Sequence, residues 1–153
     1  MSGSVCRRAL FAAILCAALL PDAAVANHGF DISGRYLMVG FDTGLTVDDD
    51  LLGALLGLEV SLVELDREGG WAGLVLALAW ASCPDEYRIT AGAELGYGLA
   101  GIEGGISYDT RGDIGGRLRA LGTVGVGSIY AGLAFDRGLA GEFGLLLKMP
   151  LEL

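Results

Sequence analysis

Positive charge is scarce in this sequence. The 153 residues include 10 Lys and Arg against 19 Asp and Glu, so the net charge is −9, and Lys148 is the single lysine. Nucleic-acid-binding proteins usually carry a basic patch, so this balance argues against that class. Disorder is also excluded, because 53% of the residues are hydrophobic and disordered chains are poor in such residues. The length is typical of one domain with a single core or barrel.

The longest apolar stretch lies at the N-terminus and is too short to span a membrane as a helix. Arg7 and Arg8 precede the apolar run Ala9–Leu20, and a small-residue site follows at Ala24-Val25-Ala26. These are the three parts of a secretory signal peptide. A spanning helix needs about 20 apolar residues, which this run does not reach. We therefore predict a signal peptide over residues 1–26 and a single β-barrel domain over residues 27–153.

Cysteine is sparse as well. Cys6 and Cys16 lie inside the predicted signal peptide, which leaves Cys83 as the single cysteine of the mature chain. One cysteine cannot form an internal disulfide. The preferred interpretation of Cys83 is an incidental thiol, and the alternative is a bridge between two chains.

Long helices are not expected in the mature chain. After residue 26 no segment contains 18 consecutive apolar residues, so no helical membrane span is predicted. Glycine, by contrast, is abundant: the full sequence has 26, and all but Gly3 lie after residue 26. Each glycine inside a helix costs about 1 kcal/mol relative to alanine, so this composition favours strands and turns.

Alternation of apolar with polar or small residues, with a period of two, runs through most of the mature chain. Near the C-terminus, for example, Phe143, Leu145 and Met149 alternate with Glu142 and Lys148. This period is typical of β-strands. The predicted strands are Phe30–Asp42, Leu56–Leu62, Trp71–Ser82, Tyr87–Tyr97, Ala100–Asp109, Arg117–Val126, Ser128–Asp136 and Glu142–Leu153.

The links between these strands are short and rich in Gly, Asp or Pro, as turns require. Links of this length cannot carry crossovers, so the sequence predicts an all-β, antiparallel, up-and-down meander that closes into an eight-stranded barrel. The longer links are expected after the first and fifth strands. The first of them is Thr43–Asp50, whose acidic cluster is expected to form a solvated turn or to cap a short helical turn at Leu51–Leu55.

The charges within the strands indicate which face points inward. They lie mostly on the glycine-rich face, and both signs occur there. A soluble barrel would expose this face and should carry more charge, especially lysine. We therefore predict that Leu, Ile, Val, Phe and Tyr face lipid, and that oppositely charged side chains neutralise one another inside. The predicted interior charge network consists of Glu59, Arg88, Glu94, Glu103, Arg117, Arg119, Glu142 and Lys148.

Over roughly residues 30–153 this pattern resembles the small eight-stranded outer-membrane β-barrel proteins of Gram-negative bacteria. The resemblance implies an outer-membrane location, with outer-membrane lipid and the outer-membrane assembly machinery as partners. Members of that class usually end in an aromatic residue that this machinery reads, whereas this chain ends in Leu153. Aromatic girdles at the two membrane boundaries are expected to draw on Trp80, Tyr87, Tyr97, Tyr108 and Tyr130.

Three local motifs contain residue types that can bind cofactors or metals or act in catalysis. Gly96–Gly101 matches the GxGxxG dinucleotide pattern, but a strand pattern follows it where a helix is required, so a tight hairpin turn is predicted. Asp48-Asp49-Asp50 lacks the spaced ligands of an EF-hand and is interpreted as a solvated turn. His28 is the only histidine and precedes the first predicted strand, away from partners for a Ser-His or metal site.

The resulting hypothesis is a non-enzymatic outer-membrane barrel with a side-chain-filled interior and a structural or interaction role. We predict no catalytic residue, no cofactor, no metal and no nucleic-acid partner. The sequence makes no prediction about protein partners. The alternative is a soluble periplasmic lipocalin-like barrel, whose Leu and Val face would line a cavity for an apolar ligand. An enzyme that uses interior carboxylates, with Glu94 facing Glu103, has the least support because ion pairs with arginine explain these residues better.

Overall fold

The structure is a computed structural model that describes residues 33–48, 51–83, 85–136 and 138–153. The predicted signal peptide, His28, Phe30, Asp49 and Asp50 lie outside the described residues. Among the described residues, no helix has the length and hydropathy of a helical membrane span.

Eight antiparallel strands form a closed barrel in which each strand pairs with the next and β8 pairs with β1. The predicted fold class is therefore confirmed. The strands are β1 (Gly34–Asp48), β2 (Leu51–Leu65), β3 (Gly70–Ser82), β4 (Asp85–Tyr97), β5 (Ala100–Asp109), β6 (Ile114–Val124), β7 (Gly127–Phe135) and β8 (Leu139–Glu152).

The strands are strongly staggered around the barrel. A path that starts at Thr46 and passes to the directly paired residue on β8, β7, β6, β5, β4, β3 and β2 returns to β1 at Tyr36. The start and end of this path are ten positions apart on β1. With a rise of about 3.3 Å per residue and strands about 4.8 Å apart, this stagger gives a strand tilt of about 40°.

The first hairpin differs from its prediction. The predicted loop Thr43–Asp50 is wrong, and so is the alternative of a helical turn at Leu51–Leu55, because β1 continues to Asp48 and β2 begins at Leu51. An apolar run such as Leu51–Leu58 has no clear period, so its pattern does not separate helix from strand. Asp48 pairs with Leu51, so the backbone ladder extends through both segments and both are strands.

The longer link expected after the first strand is also wrong, whereas the link after β5 has four residues, as many as any other link. All seven links contain two to four residues, and the first has only two. They comprise residues 49–50, 66–69, 83–84, 98–99, 110–113, 125–126 and 136–138. The tight hairpin predicted in place of a dinucleotide motif is confirmed: β4 ends at Tyr97, Gly98 has a φ of +58°, and β5 begins at Ala100.

The outer wall of the barrel is apolar and the inner wall carries the charge. Leu58, Leu74, Ile106, Ile129 and Met149 are all exposed on the outside. The intervening residues of the same strands point inward and include buried acids and bases. A lipocalin-like barrel requires the opposite arrangement, with the Leu and Val face around a cavity.

Glycines allow the wall to bend sharply on its inner side. Gly92 lies directly opposite Gly105 on the neighbouring strand, and a Cβ added to Gly92 would lie 2.1 Å from the carbonyl oxygen of Gly104. Trp71 covers a second such pair, Gly96 and Gly101, where an added Cβ would lie 2.3–2.4 Å from its ring. Glycine at these positions permits the close approach that a narrow barrel needs.

Candidate functional site

The structure places all eight residues of the predicted interior charge network inside the barrel. Each is buried, with an exposed fraction between 1% and 9%. They come from β2, β4, β5, β6 and β8, so the network joins strands that are far apart around the wall. The path of directly paired residues that runs from Thr46 around the barrel passes through four of them: Glu142, Arg119, Glu103 and Glu94.

Five of these residues form one connected group, which we call the Lys148 network: Glu59, Glu94, Glu103, Arg117 and Lys148. The Nζ of Lys148 lies 2.7 Å from Glu59 Oε1 and 2.6 Å from Glu94 Oε2, and it donates to Ser61 Oγ at 3.2 Å. Arg117 contacts Glu103 through Nη2, and the same nitrogen lies 3.9 Å from Glu59 Oε2. The group ties β2, β4, β5, β6 and β8 together.

The remaining three predicted residues belong to a second group, the Arg119 network, with Asp42, Glu86 and Asp136. Arg119 Nη2 lies 2.8 Å from Asp42 Oδ2 and 3.2 Å from Glu142 Oε2. Arg88 donates to Glu142 Oε1 at 3.0 Å, to Glu86 Oε1 at 3.1 Å and to Asp136 Oδ2 at 2.7 Å. Glu142 therefore bridges the two arginines.

Tyr130 is part of this second group and not of an aromatic girdle, so that part of the girdle prediction is wrong. Its side chain is buried, and its hydroxyl donates to Asp42 Oδ1 at 2.7 Å. The Arg119 guanidinium carbon lies 4.0 Å from the centre of the Tyr130 ring, a cation–π distance. Tyr130 follows Ile129 and precedes Ala131, and it is the inward position in that alternation.

Sequence reasoning missed Asp42, Glu86 and Asp136 because each was assigned to a turn or a strand end. Asp42 is in fact central to β1, where it alternates with outward Phe41. The alternation of Gly40, Asp42 and Gly44 with Val39 and Phe41 was the available signal. If the first predicted strand is extended beyond Asp42, this alternation places Asp42 on the inward face.

Outside the barrel, three aromatic residues cluster on neighbouring strands near one end. Trp80 pairs directly with Tyr87, and Tyr108 lies opposite Ile89 on the next strand. Tyr87 and Tyr108 are exposed, and the Trp80 indole donates to Asp85 Oδ1 at 2.7 Å. An apolar ring with one polar tip suits a membrane–water boundary.

One group of acids has the spacing of a metal site among the described residues. Carboxylate oxygens of Glu86, Asp109 and Asp136 lie within 4.8 Å of one another at one mouth of the barrel. Arg88 already contacts Glu86 and Asp136, and Arg111 lies 3.8 Å from Glu86. These guanidinium groups supply positive charge where a metal ion would sit.

Comparisons with known proteins bear on the fold alone. No protein-family model and no curated protein matches the chain. One solved structure that matches comes from work on the de novo design of transmembrane β-barrels, with 13% sequence identity and a TM-score of 0.50. The match covers 78% of this chain and all of the designed one. This chain is therefore similar in fold to a designed transmembrane β-barrel.

Proposed function

We propose that this protein is a non-enzymatic β-barrel of the outer membrane, with its interior filled by side chains and a structural or interaction role. The observation that carries the proposal is the inverted polarity of the wall. Large apolar side chains cover the outside, while arginine, lysine, aspartate and glutamate are buried inside. Contiguous exposed apolar surface of this extent marks an interaction with membrane or protein.

Lipid is the partner that fits this outer wall, because the apolar residues occur on every strand around the barrel. A single protein partner would cover only one side. Closure of β8 onto β1 pairs the backbone groups that would otherwise be exposed to lipid. The predicted export of the chain favours the outer membrane among the membranes available to it.

The interior supports a structural role. The Lys148 and Arg119 networks join six strands, β1, β2, β4, β5, β6 and β8, by ion pairs. Buried charges persist only when they are paired and hydrogen-bonded. We interpret them as cross-barrel ties, and the chain then acts through its outer wall and links.

The test is fractionation of cells that express the full chain, followed by gel electrophoresis of unheated and boiled samples in SDS. We expect the protein in the outer-membrane fraction, with a mobility that shifts on boiling. A soluble periplasmic protein would overturn the proposal. Recovery in the inner membrane would overturn the location, and a membrane protein without a mobility shift would contradict a closed, detergent-resistant barrel.

A further inference from the structure

The Lys148 network contains more acids than bases. Glu59, Glu94 and Glu103 face Lys148 and Arg117, and all five residues are at least nine-tenths buried. Glu94 and Glu103 also lie directly opposite each other on β4 and β5, an arrangement that is unfavourable for two like charges. With every group in its usual ionised form, these five residues together carry one uncompensated negative charge.

In the part of the chain that the structure describes, the other buried bases are already engaged. Arg119, which lies opposite Glu103, contacts Asp42 and Glu142. Arg88 contacts Glu86, Asp136 and Glu142. The second network has a surplus of acid too, but a further base lies next to it: Arg111, whose side chain is 41% exposed, is 3.8 Å from Glu86 Oε2.

Carboxylate oxygens without hydrogen-bond partners also indicate that the Lys148 network lacks one positive charge. Among the described residues, Glu59 Oε2, Glu94 Oε1 and Glu103 Oε2 are buried and have no hydrogen-bond partner, whereas the two bases of the network have one such atom, Arg117 Nε. A buried, uncompensated carboxylate is so costly that the site takes up a positive charge instead.

We propose that the Lys148 network binds one proton from solvent, so that Glu59, Glu94 and Glu103 together hold one carboxylic acid at neutral pH. A metal ion would need several oxygen ligands converging on one point. The described acids with that spacing are Glu86, Asp109 and Asp136 at the mouth, and not these three glutamates. A proton needs only one carboxylate oxygen. The inference rests on the barrel interior and does not depend on which membrane surrounds it.

The test is infrared spectroscopy of the full-length barrel in detergent at neutral pH, with and without exchange into D₂O. We expect the carbonyl absorption of a protonated carboxylic acid, shifted in D₂O. Glu59→Gln, Glu94→Gln and Glu103→Gln should each remove the contribution of this one acid, seen in the difference spectrum against the unaltered protein, because each leaves one carboxylate per base. Glu64→Gln is the control: it lies on β2 like Glu59, its side chain is 69% exposed, and it should leave the absorption unchanged.

Each variant is first checked for the heat-dependent mobility of a folded barrel, and any one folded variant of the three is sufficient for the comparison. Absence of the absorption from the unaltered protein at neutral pH would overturn the proposal. An undiminished absorption in a folded Gln variant of the three would also overturn it. The measurement is repeated in chelator-treated buffer and after addition of sodium or calcium salts. Loss of the absorption on adding a salt would mean that a metal ion supplies the charge, which also overturns the assignment to a proton.

Discussion

At the scale of single residues, Arg119 has the most demanding position in the barrel. Its side chain is fully buried between Asp42 and Glu142 and lies over the ring of Tyr130. Removal of one partner of a buried ion pair leaves the other charge uncompensated. Arg119 therefore contributes to the free energy of unfolding mainly because its removal would leave two buried carboxylates without a positive partner.

We expect Arg119→Met to lower the free energy of unfolding by about 3–5 kcal/mol, measured by urea titration of the barrel in lipid vesicles. Arg35→Met is the matched control, because the Arg35–Glu64 pair is 3.6 Å long and its side chains are 74% and 69% exposed. An exposed pair contributes about 0–1 kcal/mol. Equal effects of the two substitutions would contradict the role of the Arg119 network.

The adjacent glycines Gly104 and Gly105 make a second residue-scale prediction. A Cβ on Gly105 would lie 2.6 Å from the carbonyl oxygen of Ala91, whereas one on Gly104 would meet its nearest atom at 3.5 Å. Gly105→Ala should therefore cost about 1–3 kcal/mol through backbone displacement, and Gly104→Ala should be nearly neutral. Urea midpoints of the two variants provide the measurement, and a Gly105→Ala barrel as stable as Gly104→Ala would show that the wall adapts there.

The eight residues of the interior network could be named from the sequence because each falls on the polar side of a clear alternation. Glu94 and Glu103, for instance, alternate with outward Leu95 and Ile102. Their individual partners could not be named, because a salt bridge across the barrel depends on the stagger between strands. The pairing of Lys148 with both Glu59 and Glu94 has no signal along the chain.

At the scale of elements, the prediction was reliable where polar residues alternate and failed where they do not. β4 and β8 alternate almost throughout, and their faces follow from the sequence. The start of β2 is Leu51-Leu52-Gly53-Ala54-Leu55-Leu56, which has no period. Here the neighbouring strand decides the conformation by accepting and donating the backbone hydrogen bonds.

The β4–β5 hairpin depends on one backbone conformation. Gly98 has a φ of +58°, and no atom lies within 4 Å of a Cβ added there, so a substitution tests backbone strain without a clash. We expect Gly98→Val to cost about 1–2 kcal/mol. Gly98→Asn should cost less, since asparagine tolerates the left-handed region. The order of the two urea midpoints checks this prediction, and it is contradicted if valine is tolerated as well as asparagine.

At the scale of the whole molecule, the medium around the outer wall determines how much a charge placed on that wall costs. Leu76 is at the middle of β3 and Leu139 begins β8, and their exposed fractions are similar at 57% and 59%. In lipid, Leu76→Arg should cost about 2–4 kcal/mol and Leu139→Arg about 0–1 kcal/mol, because the cost of a charge depends on its depth. Unfolding in vesicles measures both, and two small effects would indicate that water and not lipid covers the middle of the wall.

The seam between β1 and β8 has a consequence for how the barrel assembles. Every other strand pair joins neighbours in sequence, whereas the seam joins Thr46 to Glu142 and Tyr36 to Glu152. Contacts between residues so distant along the chain close a large loop and make folding slow. Until that closure, β1 and β8 each present an unpaired edge and the interior charges lie on an open sheet. Seven hairpins can therefore form locally, but the barrel closes only when β1 pairs with β8. The time before this pairing is the time during which unpaired strand edges expose the chain to aggregation.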